Sequence, residues 1–148
     1  MTKQIHKNWL KFSAIAISAY ALLFFVGSIE SLRKPIELVL DLSEWPLDDL
    51  QNYDASTTVF LSAILGGVLF GWAILIWCLA DLYERAPESI RKAVVMSLMT
   101  WFVIDSLGCI LSGNGSNAIT NIVLIVTLIG PLWKKAKEDQ TIANTVQE

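Results

Sequence analysis

The stretch WFVIDSLGCILSGNGSNAITN runs from Trp101 to Asn121 and places one carboxylate, Asp105, inside an apolar run. A polar turn of sequence SGNG, residues 112–115, follows it, and a second apolar run then begins with the amides of Asn117 and Asn121. Glycine and asparagine favour tight turns because they adopt left-handed backbone conformations at little cost. The pattern predicts a hairpin of two membrane helices with a polar face between them.

The composition indicates a protein of the lipid bilayer. The chain has 148 residues, of which 54% are hydrophobic and 17% charged, whereas soluble domains carry about 25% charged residues. Its mean hydropathy is +0.53, and its apolar runs approach the length of about 20 residues that a helix needs to cross the hydrocarbon. We therefore predict an all-α membrane protein, one integral membrane domain over residues 1–148 that forms a four-transmembrane-helix bundle. The predicted spans are about 9–28, 55–83, 93–112 and 117–133, with a long loop at 29–54.

The distribution of lysine and arginine predicts the orientation, since short cytoplasmic segments carry an excess of these residues. Three occur at the start of the first span, two in the long loop, three in the next connection, none in the SGNG turn and three after the last span. This alternation predicts a multi-pass protein of the cell inner (plasma) membrane with both termini cytoplasmic. The long loop and the SGNG turn are then outside.

The long loop is acidic and contains the pattern of a short helix. Pro35 is suited to the first helical position, after which Ile36, Val39 and Leu40 would share an apolar face, until Pro46 ends the helix. The acidic residues favour a solvated face, and a cation-binding cap is the alternative, although no EF-hand spacing is present. These acids are Glu30, Glu37, Asp41, Glu44, Asp48, Asp49 and Asp54.

The first apolar run is also compatible with a signal peptide. Lys3, Lys7 and Lys11 form a basic start before a short apolar segment, as signal peptides have. No Ala-x-Ala cleavage site follows the run, so we favour a first span that is retained.

The second span repeats a small residue at every fourth position, at Ala63, Gly67 and Gly71. Small residues on one helix face allow a neighbouring helix to approach closely. The stripe therefore predicts a helix-packing face rather than a cofactor site.

The sequence contains no familiar catalytic motif. We find no P-loop, GxSxG, HExxH or dinucleotide-binding pattern. His6 is the single histidine, and Cys78 and Cys109 lie at opposite depths of the predicted bundle, too far apart for a disulfide. No metal site and no cofactor are predicted.

Folding the hairpin about Gly113 predicts which polar residues meet. Asp105 and Asn121 are each eight residues from Gly113, and Cys109 and Asn117 are each four residues from it. With a rise of about 1.5 Å per residue, the first pair lies about 10–12 Å below the surface. A carboxylate at that depth should face protein or water rather than lipid. The predicted polar pocket between spans three and four comprises Asp105, Asn121, Asn117, Cys109, Ser112 and Trp101.

Two stretches carry a resemblance to a known group of proteins. FLSAILGGVLFGWAILIW, residues 60–77, and the hairpin sequence resemble small, uncharacterised four-helix bacterial inner-membrane proteins over spans two to four. By size and topology alone, the chain is also similar to DoxX-like membrane proteins. The resemblance implies an architecture and no activity.

Three functions are compatible with these features. In the first, the outward-facing pocket binds a small apolar or amphipathic molecule or supports another membrane protein. In the second, the chain is a structural subunit or homo-oligomer in which Asp105 forms an interhelical hydrogen bond. In the third, it is a membrane enzyme or redox accessory that acts on a lipid or quinone, but a lone carboxylate without a partner acid, histidine or metal disfavours this alternative. Membrane lipids are expected partners in each case, and nucleic acid is not.

Overall fold

The computed structural model describes residues 1–44 and 53–137, which form α-helices and short 3₁₀ turns with no β-strand in these ranges. The α-helices are α1 Lys3–Gly27, α2 Lys34–Ser43, α3 Ser56–Leu82, α4 Pro87–Leu111 and α5 Gly115–Ile129. A 3₁₀ turn, Glu30–Leu32, precedes α2, and another, Gly130–Trp133, continues α5. The helices α1, α3, α4 and the extended α5 are long and apolar enough to cross a membrane. The predicted all-α architecture with four candidate spans is thus confirmed.

Large apolar side chains face outward on all four long helices, as a helix bundle in lipid requires. On α3, α4 and α5, for example, Val68, Ile104 and Val126 are 64%, 65% and 68% exposed. Such continuous apolar exposure is unusual for a protein in water. It agrees with the candidate spans.

The long helices pack as two antiparallel pairs, α1 with α3 and α4 with α5. In the first pair, His6 lies beside Tyr83 at one end, and Ala21 lies beside Gly66 nearer the other. The second pair is the predicted hairpin, which turns at Gly113, whose φ of +90° suits glycine.

Gly66 lies where α1 and α3 approach closely, and this corrects the predicted packing face. A Cβ atom at Gly66 would lie 2.9 Å from the backbone oxygen of Ala21, whereas a Cβ at Gly67 or Gly71 would meet nothing within 4 Å. Gly67 and Gly71 are exposed and Ala63 is partly buried. The face of α3 that contacts α1 therefore includes Gly66 instead of Gly67 and Gly71. The position of α1 depends on how large side chains pack, which the spacing of small residues does not describe.

The two pairs meet at the end of the bundle where Lys137 donates a backbone hydrogen bond to the Met1 carbonyl (2.8 Å). We call this the terminal end, and the opposite one the α2 end. The main apolar core lies toward the terminal end and draws on all four long helices. It includes Leu10, Ile17, Ala73, Ile76, Ile90, Leu98, Ile125 and Leu132.

The end of α5 is bonded directly to α1. The helix stops at Gly130, whose φ of +41° is a conformation that other residues rarely adopt. Its last carbonyls lack helical partners, and the Trp9 indole N–H donates to the carbonyls of Thr127 (3.2 Å) and Leu128 (3.1 Å). The Ser13 hydroxyl also donates to Leu128 (3.0 Å).

A buried polar cluster completes the terminal end. His6 Nδ1 and the Tyr83 hydroxyl share a hydrogen bond of 2.6 Å. Arg91 donates to the Leu132 carbonyl (2.9 Å) and pairs with Glu88 (2.8 Å). Burial raises the pKa of the Tyr83 phenol above its usual value, which keeps the hydroxyl protonated. The cluster joins α1, α3 and α4 to the segment after α5.

At the other end, α2 lies across the bundle from α1 to α5. Ile36 is fully buried against Gly27, where an added Cβ would collide with it. The Ser116 hydroxyl of α5 donates to the Ser43 carbonyl (2.6 Å). The predicted short helix is therefore present, with Pro35 in its first turn.

The predicted solvated acidic face of this helix is wrong at Asp41, which is only 9% exposed, while Leu38 and Leu42 are 65% and 56% exposed. Ile36 and Ser43 lie on the face of α2 toward the bundle, whereas Asp41 is buried on a different side of the helix, because residues two apart do not share a helix face. The predicted helix end at Pro46 and the acids Asp48 and Asp49 lie outside the described residues.

Candidate functional site

A cavity of about 630 Å³ lies between the two helix pairs, from the middle of the bundle to α2. Tyr20 and Phe24 of α1 line one side of it, and Leu124 and Leu128 of α5 line another. The pairs converge on the core at the terminal end, and α3 does not pack along α4. Toward the α2 end the two pairs diverge, and the cavity is the space between them.

Hydrogen-bonded side chains of α4 and α5 form a polar strip on the cavity wall. The Asn121 amide donates to Asp105 Oδ2 (2.7 Å) and to the Ser106 hydroxyl (3.2 Å). One turn nearer α2, the Asn117 amide donates to Cys109 Sγ (3.0 Å), and the Cys109 thiol points at the same Asp105 oxygen (3.8 Å). The two depth-matched contacts predicted by folding about Gly113 are both present.

Two tryptophans mark the level at which α3 and α4 separate. The rings of Trp72 on α3 and Trp101 on α4 lie with their centroids 6.4 Å apart, and both line the cavity. On the side of this pair toward the terminal end, Ala73 and Leu98 belong to the shared apolar core. On the side toward the α2 end the cavity begins, so the Trp72–Trp101 pair bounds the cavity where α3 and α4 meet.

At the α2 end, Ser43 and Glu44 line the cavity together with Tyr53. Tyr53 is 2% exposed, and its hydroxyl has no hydrogen-bond partner among residues 1–44 and 53–137. The Arg33 guanidinium lies 5.4 Å above the centre of the Tyr53 ring. Arg33 also pairs with Asp54 and donates to the Gly27 carbonyl (3.3 Å).

The residues predicted for the pocket are mostly brought together. Trp101, Asp105, Cys109, Asn117 and Asn121 all line the cavity. Ser112 does not: α4 has ended there, and its hydroxyl is exposed and donates to the Cys109 carbonyl (3.0 Å).

The predicted location of the pocket, between spans three and four, needs correction. The facing helices α4 and α5 pack on each other and supply one wall, while α1 and α3 supply the other. Sequence reasoning therefore missed Tyr20, Trp72, Tyr53 and Glu44. The position of Tyr20, a hydroxyl within the first apolar run, was a sequence signal for a polar site. Which residues form the wall opposite α4 and α5 depends on the arrangement of the two helix pairs, which the sequence does not show.

The cavity combines a hydrogen-bonded carboxylate with aromatic and aliphatic walls. The described residues contain no group of three or more His, Cys, Asp or Glu side chains placed to hold a metal ion. A single carboxylate held by an amide and a thiol can accept hydrogen bonds or pair with a cation. The surrounding walls are aromatic and aliphatic.

No protein-family model matches the chain, and comparisons with curated proteins and with solved structures found no match.

Proposed function

We propose that this protein binds one small apolar or amphipathic molecule in the cavity between its two helix pairs. The observation that carries the proposal is a cavity of about 630 Å³ whose apolar walls enclose the Asp105–Asn121 strip. Ligand sites have volumes of about 300–1,000 Å³, with mostly apolar walls and a few polar groups that orient the ligand.

The gap between α3 and α4 provides the route of access. Leu65 and Leu69 of α3 and Trp101 and Cys109 of α4 line the cavity, although these two helices do not pack along each other. In a bilayer this gap faces acyl chains. A molecule dissolved in the membrane would therefore enter sideways, with its polar group toward Asp105.

The charge distribution supports a placement in the cell inner membrane with both termini cytoplasmic. The terminal end carries Lys3, Lys7, Arg85 and Lys134, whereas the connection between α4 and α5 carries no basic residue. The positive-inside rule then places the terminal end in the cytoplasm and α2 outside. In this orientation the cavity opens to the outer half of the bilayer.

A structural role for Asp105 is the second candidate. Its 2.7 Å hydrogen bond to Asn121 joins α4 to α5, and buried polar pairs of this kind stabilise membrane helix packing. A contact between α4 and α5 does not require the cavity or the wall that α1 and α3 form, so we favour binding.

The two cysteines allow a direct test. Cys109 lines the cavity, and Cys78 is exposed on α3. In a C78S variant in maltoside micelles, the rate of Cys109 modification by methyl methanethiosulfonate is measured with and without decanol, decyltrimethylammonium or decyl sulfate. We expect at least one of these amphipaths to slow the reaction in a saturable manner.

The matched control is a C109S variant, in which the same reagent reports on Cys78. Its modification should be unaffected by the amphipaths, because it lies outside the cavity. If no amphipath protects Cys109, or if all of them slow both cysteines equally, the cavity does not bind such molecules and the proposal fails.

A further inference from the structure

We propose that the preferred ligand of the cavity is a cation with an apolar body, such as a hydrophobic ammonium ion. The proposal rests on the proposed function, since it specifies the charge of the molecule that the cavity binds. It follows from which charged, aromatic and hydrogen-bonding groups line the cavity.

The formal charges on the cavity wall are all negative. Asp105 and Glu44 contribute carboxylates at two levels, and the described lining residues include no Lys, Arg or His. The undescribed ranges 45–52 and 138–148 contain none of these residues either. A charged ligand in this apolar space must be matched by the wall, because an unpaired ion is costly at low dielectric. A cation finds groups of opposite formal charge there, whereas an anion finds only neutral donors.

Arg33, which contacts the cavity-lining residue Tyr53, is already engaged. Arg33 pairs with Asp54, donates to the Gly27 carbonyl and lies over the Tyr53 ring. Arg33 does not line the cavity. It is thus not available to an anionic ligand group without breaking these contacts.

Five aromatic rings from the described part of the chain line the same cavity as the carboxylates. Rings attract cations to their faces through the quadrupole of the π-system, most strongly for tryptophan. They come from α1, α3, α4 and the segment before α3, and they are Tyr20, Phe24, Tyr53, Trp72 and Trp101. Carboxylates and aromatic rings in one cavity are the combination that recognises alkylammonium groups.

Asp105 is held so that one of its oxygens remains for a ligand. Both contacts to it, from the Asn121 amide and the Cys109 thiol, reach Oδ2. Among the described residues, none donates to Oδ1. The side chain is therefore fixed in position by α5 and by its own helix while retaining an acceptor for a cation.

The same charge pattern argues against the headgroup of an ordinary phospholipid. Its phosphate would enter next to the ammonium group and would need a basic partner that the lining does not provide. A net monocation with an apolar chain avoids this cost. We therefore expect phospholipid to protect Cys109 less than a monocation with an apolar chain does, and the test compares the two.

Three probes with the same apolar chain test the charge preference: decyltrimethylammonium, decanol and decyl sulfate. Their affinities are measured on the C78S protein in maltoside micelles from the protection of Cys109, at equal concentrations within the micelle. Native mass spectrometry of the same samples counts bound molecules. We expect decyltrimethylammonium to bind at least tenfold more tightly than decanol, and decyl sulfate to bind most weakly.

Asp105→Asn keeps the shape of the side chain and an oxygen that can accept from Asn121, but removes the charge. We expect it to lower the affinity for decyltrimethylammonium at least tenfold and the affinity for decanol by a much smaller factor. The control is Glu30→Gln, which removes an exposed carboxylate outside the cavity and should change neither affinity.

Two results would overturn the charge preference while leaving the proposed function intact. One is equal or tighter binding of decanol or decyl sulfate to the C78S protein, which needs no further variant. The other is stronger protection of Cys109 by added phosphatidylethanolamine than by decyltrimethylammonium. Protection by none of the probes would instead refute the proposed function itself.

Discussion

Replacing Gly66 by alanine should separate α1 from α3, whereas the same change at Gly67 should not. The new Cβ at position 66 would lie 2.9 Å from both the Ala21 oxygen and the Phe25 nitrogen, and ordinary contact begins at 3.4 Å. The neighbours are backbone atoms, so the helices must move apart by about 0.5 Å (3.4 minus 2.9), which weakens the many short-range contacts on either side. At Gly67 the Cβ meets nothing within 4 Å.

The two substitutions form a matched pair because both replace a glycine inside α3 by alanine. The gain in helix propensity, about 1 kcal/mol in water, is common to both and cancels in the comparison. Overpacking costs about 1–3 kcal/mol, so G66A should be less stable than G67A by that amount.

The free energy of unfolding in maltoside–dodecyl sulfate mixtures, followed by circular dichroism, measures this difference. Equal stability of the two variants, or a less stable G67A, would refute the assignment of Gly66 to the interface.

The remaining predictions concern single contacts and the orientation. In a double-mutant cycle, Asp105→Leu and Asn121→Leu should show a coupling of about 0.6–1.7 kcal/mol in unfolding free energy, and strict additivity would mean that the residues do not touch. Trp9→Phe should lower the unfolding free energy by about 0.5–1.5 kcal/mol, because the carbonyls at the end of α5 lose the indole N–H. The control Trp133→Phe, at a side chain that is 65% exposed, should have little effect. A cysteine at Glu30 in a cysteine-free background should react with an impermeant thiol reagent in intact cells and one at Glu84 should not; the reverse would invert the proposed orientation.

Features that depend on one or two consecutive helices could be predicted from the sequence. Four apolar runs predict four long helices because bilayer thickness fixes the number of residues needed to cross it. The contacts of Asp105 with Asn121 and of Cys109 with Asn117 follow from counting outward from Gly113, since an antiparallel hairpin matches residues equally far from its turn. The short helix after Pro35 follows from local preferences in the same way.

Features that depend on the arrangement of helices distant in sequence could not be predicted. Gly66 and Gly67 have the same chemistry, and only the position of α1 determines which of them is covered. Trp9 binds the end of α5 across more than a hundred residues, and Tyr20 lines the same cavity as Asp105 because the two helix pairs diverge. The burial of Asp41 similarly depends on how α2 is turned over the bundle. In each case the decisive quantity is the packing of large side chains in three dimensions, which hydropathy and small-residue spacing do not encode.

The most direct test of the cavity is a nuclear Overhauser experiment on the deuterated, ¹⁵N-labelled protein in deuterated micelles with protonated decyltrimethylammonium. The account predicts cross-peaks from the decyl chain to the indole N–H groups of Trp72 and Trp101, and from the trimethyl group to the Asn121 side-chain amide. Cross-peaks confined to the backbone amides of outward-facing residues such as Val68 and Ile104 would contradict it, since the probe would then only coat the bundle.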